Sequence, residues 1–398
     1  MGCVSSSARR AVDEGGNGAG RSGPPIDGIP VEQDDDAKIE TASTQRRRLS
    51  VAPLLVGDVD GKRINPSDGK MRRYIRRATA TGAADVLFPC RMSLGASLPA
   101  ESDDRANAAL DPLLASSERK WVALSKKGYV PYNRKKANQD SYFVVENLVD
   151  GVNVYGVCDG HGEFGHHVSA FVRDHIVEYL SAEEALKTNP LQSIPHAIDR
   201  LCAALAEANI NVSFSGTTMV FAVAIDQQLF IGNIGDSRCI VLQQGGEGEH
   251  SLVALQLSRD QKPDDPDEKK RILAAGGRVE PLPGPPNEDM GPSRVWLAEI
   301  DVPGLAMSRS IGDDVSHTVG VISIPEMRVH PVTPVDRYLV LASDGVWEFL
   351  PNQHVADVVS RHQGDFEKAA SDIVADATKR WQEVEEVIDD ITLIILAL

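Results

Sequence analysis

The feature that most restricts the possible fold is a set of seven short apolar runs after Trp121. Most of these runs begin or end at an aspartate. The runs are Asp140–Leu148, Val152–Asp159, Thr217–Ile225, Gln228–Asp236, Arg238–Gln244, Arg337–Asp344 and Asp390–Leu398. They are rich in β-branched and aromatic residues, which is typical of strands. Several are apolar on both faces, as strands covered on both sides are. The runs therefore predict sheets that lie between other layers.

Five amphipathic segments alternate with groups of these strands and predict helices. They are His166–Leu180, Ser193–Ile210, Asp264–Gly277, Asn352–His362 and Asp365–Val387. The third has Asp265 as its predicted N-cap, Pro266 at its first helical position and Glu268 three residues after the cap. Because the strands come in groups, the pattern favours an α+β layered fold over strict βαβ alternation.

The composition excludes several classes of protein. The net charge of −17 argues against broad binding of nucleic acid, which requires a basic face. The five cysteines are scattered, so neither a zinc site nor a disulfide framework is predicted, and a reducing compartment is favoured. The chain has neither the apolar run of a membrane span nor the apolar core of a secretory signal.

The chain divides into two regions near residue 118. Residues 1–118 are Gly/Pro-rich, carry acidic and basic runs and have weak apolar periodicity, which predicts a largely disordered arm with at most a short helix at Met71–Thr79. Residues 119–398 carry a net charge of −16 and are predicted to form one folded domain that begins near Trp121.

Aspartates stand at the ends of the predicted strands. Asp140 and the pair Asp389–Asp390 precede strands, and Asp159, Asp236 and Asp344 follow them. If neighbouring strands are antiparallel, all these positions can meet at one rim. Clustered carboxylates repel one another unless cations neutralise them, and hard oxygen ligands select Mg²⁺ or Mn²⁺. The alternative is that Asp-Gly and Asp-Ser pairs simply form turns.

A set of motifs in a fixed order identifies a family. The motifs are KKANQDSY (135–142), VCDGHGEFG (157–165), SGTTMV (215–220), IGNIGDSR (231–238), LSRDQKPDDPDEKKRI (257–272), GGRV (276–279), LAMSRSIGD (305–313), LASDGVWEF (341–349) and DDITLIIL (389–396). In these motifs the chain resembles the metal-dependent type 2C Ser/Thr protein phosphatases. The resemblance implies an αββα four-layer sandwich with two central antiparallel sheets. It also implies that residues 281–300 form a flap beside the active site.

The resemblance assigns roles to individual residues. It implies that Asp159 bridges two Mg²⁺ or Mn²⁺ ions, with the Gly160 carbonyl, Asp344 and Asp389 as further ligands. Asp140 would act through water, and Asp236 with Asp344 would serve a third, weaker site. A hydroxide that bridges the two ions would attack phosphorus, and His161 would protonate the leaving serine or threonine alkoxide. The alternative for His161 is a turn histidine without a catalytic part.

The chain departs from the family pattern at four positions. Gln139 replaces a frequent glutamate, Gln261 a frequent histidine and Glu348 a frequent aspartate. Where the family has an arginine that binds the substrate phosphate, Lys135 holds the matching position and Arg134 lies beside it, so either can serve. Lysine would act there as a point charge only.

The N-terminus matches a lipidation pattern. MGCVSS predicts myristoylation of Gly2, and the neighbouring Cys3 is a candidate for palmitoylation. Two acyl chains hold a membrane stably, and the basic segment Thr41–Thr79 would add attraction to an anionic leaflet. Ser50 and Thr79 follow arginine pairs, so they are candidate phosphorylation sites whose modification would weaken that attraction. An unmodified terminus and a solvated linker are the alternatives.

The sequence therefore predicts a monomeric Mg²⁺- or Mn²⁺-dependent phosphatase of phosphorylated proteins, anchored by lipid at the cytoplasmic face of a membrane and without a nucleic-acid partner. One alternative is a catalytically dead scaffold that binds phosphoproteins, although all the core carboxylates are present. Another is a two-metal phosphodiesterase acting on nucleic acid, against which the acidic domain argues.

Overall fold

The structure is a computed structural model that describes residues 121–131, 133–246, 251–284 and 290–398. The strands in these residues are β1 (Trp121–Lys126), β2 (Asp140–Val145), β3 (Asn153–His161), β4 (Gly216–Thr217), β5 (Met219–Ile225), β6 (Gln228–Ile234), β7 (Arg238–Gln244), β8 (Leu252–Gln256), β9 (Arg278–Glu280), β10 (Arg294–Trp296), β11 (Pro303–Leu305), β12 (Ile311–Gly312), β13 (Glu326–Pro331), β14 (Asp336–Ala342) and β15 (Ile391–Ala397). The helices in the same residues are α1 (Gly165–Ser181), α2 (Pro190–Glu207), α3 (Pro266–Ala274), α4 (Asp314–His317), α5 (Asp344–Trp347), α6 (Asn352–His362) and α7 (Phe366–Val384).

Two antiparallel sheets form the centre of the domain. The first has the strand order β1-β15-β14-β7-β8. The second has the order β12-β4-β3-β5-β6-β13, and β2 pairs with β3 beside this path. Consecutive strands β6 and β7 lie in different sheets, so the turn between them, residues 235–237, crosses from one sheet to the other.

An apolar layer joins the two sheets face to face. Val157 on β3 and Val220 on β5 share it with Val241 on β7, Leu341 on β14 and Ile394 on β15. Burial of such side chains stabilises each by roughly 1.5–3 kcal/mol relative to exposure. This layer explains why the strand sequences are apolar on both faces, because their other faces meet helices.

A pair of helices covers the outer face of each sheet. α1 and α2 pack on the second sheet through residues such as Val172 and Leu201. α6 and α7 pack on the first sheet, where the fully buried Trp381 donates an indole N–H to the Gly345 carbonyl at 2.8 Å. The resulting helix–sheet–sheet–helix order confirms the predicted four-layer sandwich.

A smaller unit lies beside the sandwich. It contains the three-stranded sheet β11-β10-β9 and has its own apolar cluster, in which Ile272 of α3 packs with Val295 and Leu305. The predicted flap, residues 281–300, falls in this unit except for 285–289, which lie outside the described residues.

The seven predicted strands and five predicted helices all occur, although their ends shift and the strand predicted at Thr217–Ile225 is divided into β4 and β5. Asp159 lies inside β3 and not after it, because Gly160 and His161 continue the strand by pairing with β4. Asp265 is the N-cap of α3, but its side chain makes no capping hydrogen bond. Glu268 forms no capping box either, since its carboxylate accepts hydrogen bonds from Arg309 and Ser308.

The predicted arm lies outside the described residues. Gly2, Cys3, Ser50, Thr79 and the possible helix at 71–79 therefore remain predictions, as does the domain boundary near residue 118. Strand β1 begins at Trp121, where folded structure was expected. Among the described helices, none combines the length and the hydropathy of a membrane span.

Candidate metal centre

Five aspartates from both sheets meet at one end of the sandwich. Asp140 and Asp159 are register partners on the antiparallel strands β2 and β3 of the second sheet. Asp344 begins α5 just past Ser343 at the end of β14, and Asp389 lies shortly before β15, so both adjoin the first sheet. Asp236 lies in the crossing turn between the sheets. The predicted rim therefore exists, and it includes all five carboxylates.

Asp140 is buried at the junction of the sheets. Its Oδ2 accepts a hydrogen bond of 2.9 Å from Ser343 Oγ, which joins the second sheet to the end of β14. Its other carboxylate oxygen, Oδ1, is buried and has no hydrogen-bond partner. Burial, together with repulsion by Asp390, raises the pKa of Asp140 to about 7.

The pKa values of Asp159 and Asp344 are also raised. Burial and the neighbouring Asp344 raise the pKa of Asp159 well above its usual range. Burial and the charge of Asp236 do the same to the pKa of Asp344, whose Oδ1 is also buried without a partner. Without a cation, this cluster resists full ionisation because its members repel one another in a poorly solvated site.

Asp236 is held by a lysine that the sequence analysis missed. Lys262 Nζ donates to Asp236 Oδ2 at 2.6 Å, while Asp236 Oδ1 is buried without a partner. Burial disfavours the charged form of Lys262, but Asp236 and Asp344 outweigh it, so the pKa of Lys262 is raised.

A second unpredicted lysine lies at the other side of the centre. Lys136 Nζ is 3.3 Å from Asp389 Oδ1 and 2.7 Å from Asp390 Oδ2. The Asp390 carboxylate also accepts hydrogen bonds from the backbone N–H groups of Gly128 and Gln139. Asp390 therefore ties residues 128–139 to the start of β15, and its oxygens are already occupied by these donors.

His161 lies at the end of β3 beside another missed residue, Asp313. The imidazole Nε2 and Asp313 Oδ2 are 2.6 Å apart, and both side chains are buried. Burial alone would lower the pKa of His161, but the Asp313 carboxylate outweighs it and raises the pKa. The folded domain thus favours the imidazolium form, which can donate a proton.

Gly160 has no room for a side chain. A Cβ at this position would lie 2.6 Å from the Gln139 carbonyl oxygen and would also meet the Gly165 carbonyl oxygen. The Gly160 N–H donates to the Gln139 carbonyl at 3.1 Å, and Gln139 Nε2 donates to the Gly162 carbonyl at 2.7 Å. Gln139 therefore shapes the backbone around the predicted ligand Gly160 with its neutral amide.

The two candidates for binding substrate phosphate lie on the surface. Arg134 and Lys135 are exposed in the loop between β1 and β2. The next residue, Lys136, is the lysine bound to Asp389 and Asp390. In this loop Lys136 therefore faces the carboxylates, while Arg134 and Lys135 are accessible to a substrate.

The donor set fits a hard divalent cation. Within the described residues, no group of three or more His, Cys, Asp or Glu side chains is arranged as the ligands of one ion. Mg²⁺ does not require such a cage, because it keeps several waters and uses one or two carboxylates. The buried, unpartnered oxygens of Asp140, Asp236 and Asp344 are the groups that such hydrated ions satisfy.

Comparison with known sequences decides the family. The sequence model of the family described as "Protein phosphatase 2C" matches residues 133–383. The chain belongs to the protein phosphatase 2C family. It is therefore a protein serine/threonine phosphatase by class, which confirms the resemblance seen in its motifs.

Curated plant proteins are similar over most of their length. The Arabidopsis thaliana protein named "Probable protein phosphatase 2C 35" is 35% identical over 294 residues, which are 70% of this chain and 83% of that protein. Another Arabidopsis protein, "Probable protein phosphatase 2C 73", is 30% identical over 333 residues, 74% of this chain and 87% of that protein.

A solved structure supports the fold. Serine-threonine phosphatase 2C from Toxoplasma gondii superposes with a TM-score of 0.58 at 22% sequence identity. The match covers 70% of this chain and 94% of that one. At this identity the match supports the fold alone.

Proposed function

We propose that this phosphatase hydrolyses phosphoserine and phosphothreonine on proteins with two Mg²⁺ or Mn²⁺ ions held by Asp159, the Gly160 carbonyl, Asp344 and Asp389, with Asp140 behind them. The observation that carries the proposal is the convergence of these carboxylates from both sheets, where Asp140 and Asp344 each have a buried oxygen without a partner. When bound, the ions would supply a water of lowered pKa and neutralise charge on the phosphoryl group.

The protein groups have separate tasks in this proposal. His161 gives a proton to the departing serine or threonine oxygen, and Asp313 holds the ring and favours its charged form. Arg134 or Lys135 attracts the substrate phosphate from the exposed loop. Lys136 is less suited to that task, because Asp389 and Asp390 already bind its ammonium group.

The test measures phosphate release from a phosphothreonine peptide with Mn²⁺, with and without a chelator. Asp159→Asn and Asp344→Asn should each remove most of the activity, and so should the chelator. The matched control is Asp226→Asn, an exposed turn residue with φ of 53°, a conformation that asparagine tolerates. Full activity in the chelator, or in both site variants, would refute the metal mechanism.

We further propose that acylation of Gly2 and Cys3 anchors the enzyme at the cytoplasmic face of a membrane. The support is the MGCVSS sequence and the basic segment Thr41–Thr79. In cells, Gly2→Ala should move the protein to the soluble fraction, whereas Ser5→Ala should leave it on the membrane. An unchanged distribution of Gly2→Ala would exclude this anchor.

We also propose that phosphorylation of Ser50 and Thr79 loosens membrane contact, because phosphate removes net positive charge from the basic segment. Alanine at both positions should keep the protein on the membrane when basophilic kinases are activated. If the wild type and this double variant partition identically under kinase activation, the proposal fails. The enzyme is expected to be monomeric, which sedimentation at several concentrations would test.

A further inference from the structure

Lys262 occupies a fixed position beside the acidic corner of the metal centre. The preceding residue, Gln261, is fully buried and makes three hydrogen bonds to the crossing turn and the end of β6. Its N–H donates to the Gly235 carbonyl at 3.0 Å, its Oε1 accepts from the Gly235 N–H at 2.7 Å, and its Nε2 donates to the Asn233 carbonyl at 3.1 Å. These bonds hold the backbone of Lys262 against Asp236.

The ammonium group of Lys262 lies close to several carboxylates. Its Nζ is 2.6 Å from Asp236 Oδ2, and Asp344 and Glu348 also act on it electrostatically. Asp236 and Asp344 each keep one buried oxygen without a partner. The lysine thus brings one positive charge to a corner with three carboxylates.

A cation that used Asp236 would have to share this corner with the ammonium group. Two positive charges a few ångströms apart in a poorly solvated site repel strongly. The lysine can leave, because its side chain is 32% exposed, whereas the Asp236 side chain is only 1% exposed and must stay. Lys136, by contrast, is only 15% exposed and is bound by two carboxylates.

We propose that Lys262 is a built-in competitor for a divalent cation at Asp236, so that a third ion binds only when the lysine side chain swings out to solvent. The inference rests on the proposed two-metal function and goes beyond it by naming what controls the third ion. The pair of ions at Asp159 should be affected less, since Lys262 makes no ion pair with Asp159, Asp140 or Asp389 and reaches only their fellow ligand Asp344 electrostatically.

The consequence is a fixed order of binding. The pair of ions binds first and tightly, and the third ion binds weakly because it must displace the ammonium group. Replacing Lys262 by a neutral side chain of similar length removes the competitor and keeps all the carboxylates. The third ion should then bind at least about tenfold more tightly, since one unit charge has been removed from its immediate neighbourhood.

The experiment counts bound Mn²⁺ by electron paramagnetic resonance and measures the affinities by titration calorimetry. It compares the wild type, Lys262→Met and the control Lys269→Met. Lys269 is exposed on α3 and has no ion pair among the described residues, so this variant changes the net charge equally. Only Lys262→Met should tighten binding of the third ion, and in that variant the affinity of the pair should change less than the affinity of the third ion.

Three outcomes would count against the inference or against the proposed function. If the third ion binds Lys262→Met no more tightly than it binds the wild type, Lys262 does not compete and the inference is overturned. Equal tightening in Lys269→Met would also overturn it, because net charge would then be the cause. If the wild type binds no tight pair at all, the proposed function fails, which is a distinct result.

Two further variants guard against misfolding. Lys262→Gln provides a polar alternative if circular dichroism finds Lys262→Met unfolded, and the same tightening is expected. Asp236→Asn should abolish binding of the third ion, both alone and together with Lys262→Met. If the double variant still binds a third ion tightly, that ion does not use Asp236 and the inference is wrong.

Discussion

Removal of divalent cations should make the stability of the phosphatase domain fall as the pH rises. The cause is Asp140, whose pKa is 3.8 as a free side chain and about 7 in the folded domain. Because the folded state binds this proton more tightly, the stabilisation is complete below the unfolded pKa and is lost as the pH rises through the folded pKa. Asp159 and Asp344 shift in the same direction and act in the same sense.

The size of the effect follows from the shift of Asp140. Each pKa unit corresponds to about 1.4 kcal/mol, so a shift of about three units costs up to about 4 kcal/mol between pH 4 and pH 8. In a domain of this size, that corresponds to a fall in Tm of roughly 10 °C. Ions that bind the ionised carboxylates should reverse the trend, since they stabilise the deprotonated form.

The assay is thermal unfolding in a chelator from pH 5 to pH 8, with Asp140→Asn for comparison. The neutral asparagine cannot lose a proton, so at pH 8 the metal-free variant should unfold at a higher temperature than the wild type. At pH 5 the same difference should be smaller, because the folded wild type still holds its proton there. Added Mn²⁺ should raise the Tm of the wild type more at pH 8 than at pH 5. The reasoning is refuted if metal-free wild type and Asp140→Asn keep a constant difference across this range.

Three other changes have distinct expected results. His161→Gln should slow hydrolysis of a phosphothreonine peptide by about 10²–10⁴-fold but that of p-nitrophenyl phosphate far less, since nitrophenolate leaves without a proton; equal losses would contradict the role as an acid. Gly160→Ala should weaken Mn²⁺ binding in calorimetry, because its Cβ would meet the Gln139 carbonyl, while Gly246→Ala, which has open space, should not. Trp381→Ala should cost about 3–5 kcal/mol in urea unfolding, because this fully buried residue fills the helix–sheet core; a loss below about 1 kcal/mol would be inconsistent with that packing.

The sequence predicted the carboxylates of the centre because strand patterns are local. Alternating and continuous apolar runs located β2, β3, β14 and β15, and an aspartate at each boundary could be read directly. Antiparallel pairing then places those boundaries at one end of the sandwich, as the register of Asp140 with Asp159 illustrates. Strand-end position was therefore sufficient to predict that these carboxylates meet, without any knowledge of side-chain contacts.

The partners of these carboxylates could not be predicted in the same way. Lys136 and Asp390 are 254 residues apart, and His161 and Asp313 are 152 residues apart. Such pairs depend on how the sheets and loops pack, and many other lysines and aspartates have the same local appearance. Asp313 had one local signal, since it follows a glycine; in the structure it is the N-cap of α4, with φ of 51°. Short strands such as β4 and β12 were missed because two residues carry no periodicity.

The hydrogen bond from Ser343 to Asp140 has a consequence for how heating and distant substitutions affect the metal centre. It spans the boundary between two sheets that apolar contacts mainly hold together, so the positions of the proposed metal ligands depend on the alignment of these sheets. A slip of about an ångström between the layers would separate ligands on opposite sides while each sheet stayed intact. Loss of metal affinity should then precede loss of secondary structure on heating, and substitutions deep between the sheets can tune catalysis from a distance.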